Sequence, residues 1–374
     1  MNRTDISAKQ MEATVVLFLV GSSLVTGGST RAKQDTWFCI VAAMILVIPM
    51  VWVHSEILNL YPGRNYFENI ICAAGRPAGT VICVLITLYA LVLGAVVLRN
   101  FSEFIHLVNM VETPIIMIAV SVMVVVIYTL SNGLYVLARI SKLMLLLLVV
   151  SVTVTIVLAY QNMDASHLKP VLQSRPADLL RGIVSSFSTP YCEIILCAPM
   201  FGAMSRNAKI FPTFLKGVFF AFLILLAANI RNTLVLGYLD TTVNYSSYEA
   251  VSVIQIGEFF TRVEVLIGIT LLLAGFVKSG VILFSTCEGL RKAAGYRDYE
   301  PIVVPVGVLT LTAVPLISSN VSELSWMIEH LPFYALPVQV LLPVLVLVIG
   351  KGKKKLKQRK APRQGQIPKK TKSA

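Results

Sequence analysis

The chain has 374 residues, of which 56% are hydrophobic and 14% charged, with mean hydropathy +0.78 and formal net charge +13. These proportions exclude an ordinary soluble domain and point to a polytopic membrane protein. Much of the positive charge sits in one place, the terminal stretch Lys351–Lys372.

Apolar windows of about 20 residues, the length that crosses a bilayer as a helix, recur about ten times. In chain order the predicted spans are 11–30, 37–60, 79–104, 112–131, 138–160, 179–202, 213–239, 259–289, 302–319 and 333–350, the eighth being long enough to tilt. The first run lacks a small-residue cleavage site and more spans follow it, so it reads as a retained helix and not a signal peptide. Residues 1–350 thus form one transmembrane domain, followed by a basic tail, 351–374. No connection is long enough for a soluble domain, and the longest runs around Asn162–Asp178.

Arg and Lys fall in alternate connections: Arg3 and Lys9, Arg64 and Arg76, Arg139 and Lys142, Lys209 and Lys216, Arg291 and Lys292, then the tail. The positive-inside rule places these segments and both termini in the cytoplasm. The opposite connections carry acids such as Asp35, Glu112, Asp240 and Glu323. A polybasic stretch directly after a last span meets anionic lipid headgroups and fixes topology, in preference to nucleic acid.

Six cysteines without CxxC spacing and four scattered histidines give neither a disulfide framework nor a metal site. No nucleophile elbow, phosphate loop or HExxH is present, so nothing in the pattern supports an enzyme or a cofactor.

The first and sixth spans carry helix-breaking stretches, Gly21-Ser22-Ser23 and Ser188-Thr189-Pro190. Backbone that leaves the helix inside a bilayer survives only where protein or a watery cavity satisfies it, and interruptions at matching places in two halves mark a midplane site. Glycine and serine also let helices pack closely, so the first stretch alone reads equally as a packing seam.

Charged residues within spans are costly and point to function or mutual pairing. Arg99 and Glu103, four residues apart in the third span, share a helical face and form a structural ion pair or a gate. Glu193, just past Pro190, is placed to bind a substrate ammonium or to accept hydrogen bonds from freed N–H groups. At the eighth span, Glu258, Arg262 and Glu264 cluster outside, while Lys278 lies about 24 Å further along the helix. If Lys278 faces the bundle, its ammonium meets carbonyls freed by a break in the first helix. In the seventh span Asn229, Arg231 and Asn232 form a polar cluster of the kind that glues helices, and Arg231 needs a partner or an interface.

Several of these stretches resemble one family. Ile6-Ser7-Ala8-Lys9-Gln10 with Gly21, Tyr61-Pro62 before Phe67-Glu68, Arg99 and Glu103 ahead of Glu112-Thr113-Pro114, and Gly133 with Ala138-Arg139 are similar to B subunits of bacterial spore germinant receptors. So are Leu168-Lys169-Pro170-Val171-Leu172, Glu193, and Phe260-Thr261-Arg262-Val263-Glu264. Each motif is weak alone; their order and spacing cover nearly the whole chain.

The resemblance implies an all-α membrane protein of the amino-acid, polyamine and organocation transporter superfamily, a five-plus-five inverted repeat with helices one and six broken. It implies a nutrient sensor of the spore inner membrane, working with a larger A subunit and a lipoprotein C subunit, with a small germinant, commonly an amino acid, bound among helices one, three, six and eight. Carried onto this sequence, the lining draws on Gly21, Ser22, Ser23, Val92, Val96, Ser188, Thr189 and Glu193. The chain departs from the family in having no proline after the first-span break and in Ser-Thr-Pro-Tyr where other members carry more glycine. Both departures fall at the implied pocket, so the ligand of other members does not transfer. An amino-acid transporter working by alternating access, and an assembly subunit that binds no ligand, are the alternatives.

Overall fold

The computed structural model describes residues 5–26, 32–204, 208–241, 243–254 and 264–360. Among them every regular element is a helix, and the one β-contact is an isolated bridge between Ile6 and Met204. The first half runs α1 (Ala8–Thr26), α2 (Thr36–Leu60), the short α3 (Tyr66–Ala74), α4 (Arg76–Asn109), α5 (Ile115–Ser131) and α6 (Leu134–Ala159). The second half repeats that order. It starts with α7 (Pro176–Ser188) and the three-ten segments Tyr191–Leu196 and Ala198–Ala203 that finish the same pass. Next come α8 (Ile210–Leu236), the short α9 (Ser246–Ser252), α10 (Val265–Ala294) and α11 (Glu300–Ile317). The final pass is α12 (Val321–Leu336), a π turn at Pro337–Leu341, and α13 (Leu342–Lys360).

Five passes are an odd number, so the second half enters from the side opposite to the first and the two short helices lie on opposite sides. The packing shares this symmetry: α1 lies against α8, while α7 and its three-ten continuation lie against α2, and the two third spans, α4 and α10, pack on each other. Eight helical stretches are long and apolar enough to cross a membrane. The other two passes are α5, apolar but 17 residues long, and α1, 19 residues long with Lys9 and Glu12 near its start. The chain is therefore a multi-pass membrane protein with a five-plus-five inverted-repeat architecture.

Span six is interrupted where the sequence predicts. Pro190 has no N–H and its ring disfavours the α conformation in the residue before it. Thr189 is accordingly extended (φ −126°, ψ 115°), and the chain resumes only as three-ten helix. Residues Tyr191 to Leu196 are all buried, so the irregular backbone is enclosed by protein, as it must be at membrane depth.

The first span differs from expectation. α1 is continuous through Gly21-Ser22-Ser23 to Thr26, so its amides there bond within the helix. Gly21 serves close packing: a Cβ there would lie 2.7 Å from Cδ of Lys278. Gly27 and Gly28 lie outside the described residues. At the other end of the described chain, α13 runs without interruption from Leu342 through Lys351 to Lys360.

Candidate functional site

Lys278 lies about 20 Å along α10 from Val265, at 1.5 Å per residue. It is fully buried, and its Nζ is 2.6 Å from Oε2 of Glu193, in the first three-ten turn after the span-six break. The stem of the lysine passes over Gly21 and its ammonium sits 5.4 Å from the centre of the Phe18 ring, both residues of α1. Three elements thus meet at one charge pair. The expectation that Lys278 would bond carbonyls of a broken first helix is corrected: α1 is intact there, and the ammonium turns to a carboxylate. Glu193 Oε1 has no hydrogen-bond partner among the described residues.

The same break is held from its other side by Gln339, fully buried in the π turn of the last span. Gln339 Nε2 donates to Tyr89 Oη at 2.7 Å and to the Ser188 carbonyl at 3.2 Å, and Ser188 Oγ donates to Gln339 Oε1 at 2.9 Å. A π turn carries an extra residue that re-aims side chains, and such turns concentrate at functional sites. Sequence reasoning missed both Gln339 and Tyr89. The available signal was an amide in an apolar span hemmed by Pro332, Pro337 and Pro343.

A cavity of about 1020 Å³ opens on the α9 side and reaches the span-six break. Its deep lining includes Ser23 from α1, Asn100 from α4, Thr189 and Tyr191 at the break, and Asn229 and Asn232 from α8. Of the residues assigned to ligand binding, Ser23 and Thr189 line it. Gly21, Ser188 and Glu193 lie just beneath, in the packed layer around Lys278 and Gln339. Val96 is buried off this cavity, and Val92, 43% exposed on α4, is not among its lining residues either. The backbone of Ser22 is helical.

On the α9 side, Arg99 Nη2 pairs with Glu103 Oε2 at 2.8 Å and Arg99 Nε donates to Ser318 Oγ at 3.2 Å, joining the ends of α4 and α11. Arg231 is buried and donates to Thr155 Oγ1 at 2.8 Å and to Asn232 Oδ1 at 2.7 Å. Asn232 in turn donates to Ser247 Oγ, which donates to the Leu24 carbonyl, so α6, α8, α9 and the end of α1 share one network. Glu264 starts α10, its carbonyl accepting from Ile267 N–H at 3.0 Å. Glu258 and Arg262 lie outside the described residues.

On the α3 side, polar groups clamp α3 to α10. Asn65 caps α3, accepting from the Glu68 N–H at 2.8 Å, and its amide also donates to Glu288. Arg291 Nε donates to Glu288 Oε2 at 2.7 Å, and Lys292 pairs with Glu68. Burial pushes the Glu68 carboxyl up, but its bonds to Lys292 and the Asn65 N–H and the charges of Lys292 and Arg291 outweigh that, leaving it below the ordinary range. The first and last described segments both reach this side: Ile6 N–H donates to the Ala203 carbonyl, and Lys351 pairs with Glu56 at 2.6 Å.

Residues 5–322 match the family model described as spore germination protein. The chain belongs to the spore germination protein family. Among curated relatives, this family member is 25% identical over 366 residues to spore germination protein KB of Bacillus subtilis (strain 168), covering 96% of this chain and 98% of the relative. It is 19% identical over 333 residues to spore germination protein XB of Bacillus anthracis, covering 87% and 92%. Among solved structures, the fold is similar to Mhp1, a nucleobase-cation-symport-1 family transporter in a closed conformation with bromovinylhydantoin bound. The TM-score is 0.63 at 12% identity, over 90% of this chain and 77% of that one. The germination family member therefore shares the fold of that transporter.

Proposed function

We propose that this chain is the nutrient-sensing subunit of a spore germinant receptor in the spore inner membrane. The observation that carries the reading is a cavity, largely apolar with polar groups at its deep end, that runs from one membrane face to the interrupted sixth span of a transporter fold, in a member of a germination family. A small polar nutrient, of which the family resemblance names an amino acid as the commonest kind, binds in that cavity. Binding shifts the balance between conformations by its differential affinity for them. The A subunit and the C lipoprotein read that shift. The α3 side, with both chain ends and the basic tail against anionic lipid, faces the cytoplasm.

The test is germination, followed as dipicolinate release, of spores lacking only this gene, against single amino acids, sugars and nucleosides. Selective loss of response to one nutrient class supports the sensor. An unchanged panel rejects it. The likeness to a symporter fold favours one second reading, alternating-access transport, for which uptake by proteoliposomes containing this chain alone is the deciding measurement.

A further inference from the structure

The deep end of the cavity has a specific chemistry. Thr189 Oγ1, Tyr191 Oη and Asn229 Oδ1 are buried polar atoms without a hydrogen-bond partner among the described residues, and all three residues line the cavity. Tyr191 is 1% and Asn229 4% exposed. Buried polar atoms are nearly always paired, so three orphans directly beneath one cavity wall call for a polar group that reaches them when it binds. Thr189 lies about 20 Å from the mouth-side end of α7 along its axis, and Asn229 faces the same space from α8.

Charge defines what that group is. Among the described lining residues, the side chains with formal charge are Arg181 and Glu329, both exposed and therefore at the mouth. Of the interior charges behind the wall, Lys278 pairs with one oxygen of Glu193, and Arg231 donates to Thr155 Oγ1 and Asn232 Oδ1; none of these three lines the cavity. An amino-acid carboxylate would need a cation or a fan of free N–H groups. α1 offers no fan, because it is helical through Thr26, and the helix end at Ser188 is a C-terminus, whose partial negative charge repels a carboxylate. Amides and hydroxyls remain, which both donate and accept.

We infer that Thr189, Tyr191 and Asn229 form the binding site for an uncharged solute bearing several hydroxyl or amide groups, of the size of a monosaccharide or nucleoside. This rests on the sensor reading for its biological use, and replaces the amino acid with a neutral ligand. The site belongs to spans six and seven, one layer outside the Lys278–Glu193 pair.

The test uses the full chain, purified in nanodiscs, and binding isotherms for glucose, inosine, L-alanine and putrescine. Thr189→Val, Tyr191→Phe and Asn229→Leu each remove one orphaned polar atom with little change of shape, so folding is preserved. Expected is binding of glucose or inosine, weakened roughly tenfold or more by each variant, with Val92→Ala, outside the lining, unchanged. Binding of L-alanine or putrescine in place of the neutral probes overturns the inference. So does neutral-probe binding that the three variants leave intact, or no binding by any probe. Neutral-probe binding as expected, alongside an unchanged germination panel in the deletion spores, sinks the sensor reading and leaves the site standing.

Discussion

Lys278 and Glu193 form an ion pair of 2.6 Å with side chains 0% and 1% exposed, between the middle of α10 and the first turn past the span-six break. A buried pair is weak evidence of net stabilisation, yet removing one partner strands the other charge at a cost of about 3–5 kcal/mol. Lys278→Met and Glu193→Gln alone should therefore each lower the thermal midpoint of the purified protein sharply. The double variant should recover most of the loss. Equal, additive losses in a double-mutant cycle would show that the two residues do not act as a pair.

Gly21 makes a related prediction. Its missing side chain leaves room for Lys278, whose head is tied to Glu193, so the stem cannot swing away freely. Gly21→Ala should overpack this layer and cost about 1–3 kcal/mol despite alanine's better helix propensity. In a Lys278→Ala background the same change should become neutral or stabilising. Unfolding midpoints of the four proteins decide it, and an unchanged penalty in the Lys278→Ala background would show that the crowding lies elsewhere.

Much of this architecture is legible in the sequence, for physical reasons that particular residues show. Apolar length fixed the ten passes, and Pro190 fixed the span-six break because a missing N–H and a ring clash admit little else. Gly21-Ser22-Ser23 was ambiguous by nature: small residues permit a break and equally permit close packing, and only the neighbour that fills the space, Lys278, distinguishes them. The partner of Lys278 was half legible. Glu193 and Lys278 both sit near the middle of their spans, and two opposite interior charges at similar depth are candidates for each other. Gln339 was legible only as an amide out of place in an apolar span among prolines; its role depends on a π turn, and one extra residue in a helix leaves no periodic signature.

The α3-side clamp makes stability depend on pH. The Glu68 carboxyl is held below its ordinary range, so Lys292 and the Asn65 N–H favour its charged form in the folded protein. That contribution is fully present above the unfolded value of about 4.3 and is lost as pH falls through the lower folded value. Glu68→Gln should be less stable than the parent at pH 7, and the gap should close as pH drops below about 4. Thermal melts of both proteins at pH 7, 5 and 3.5 check this, and a gap that persists undiminished at the lowest pH would remove Glu68 ionisation as its cause.

Gln339 ties the span-six break to the last span, and its replacement separates holding the break from binding at it. Gln339→Leu keeps the bulk but deprives Ser188 Oγ and Tyr89 Oη of their partner, costing about 1–3 kcal/mol for each buried group left unpaired. If ligand occupancy beside Thr189 is passed to α12 and α13 through this amide, the variant should assemble in spores and bind ligand within severalfold of the parent, yet germinate slowly or not at all. Adding Ser188→Ala and Tyr89→Phe removes the stranded hydroxyls and should restore stability. It cannot restore the connection, so germination should stay impaired in the triple variant. Recovery of germination together with stability would make Gln339 a structural brace alone.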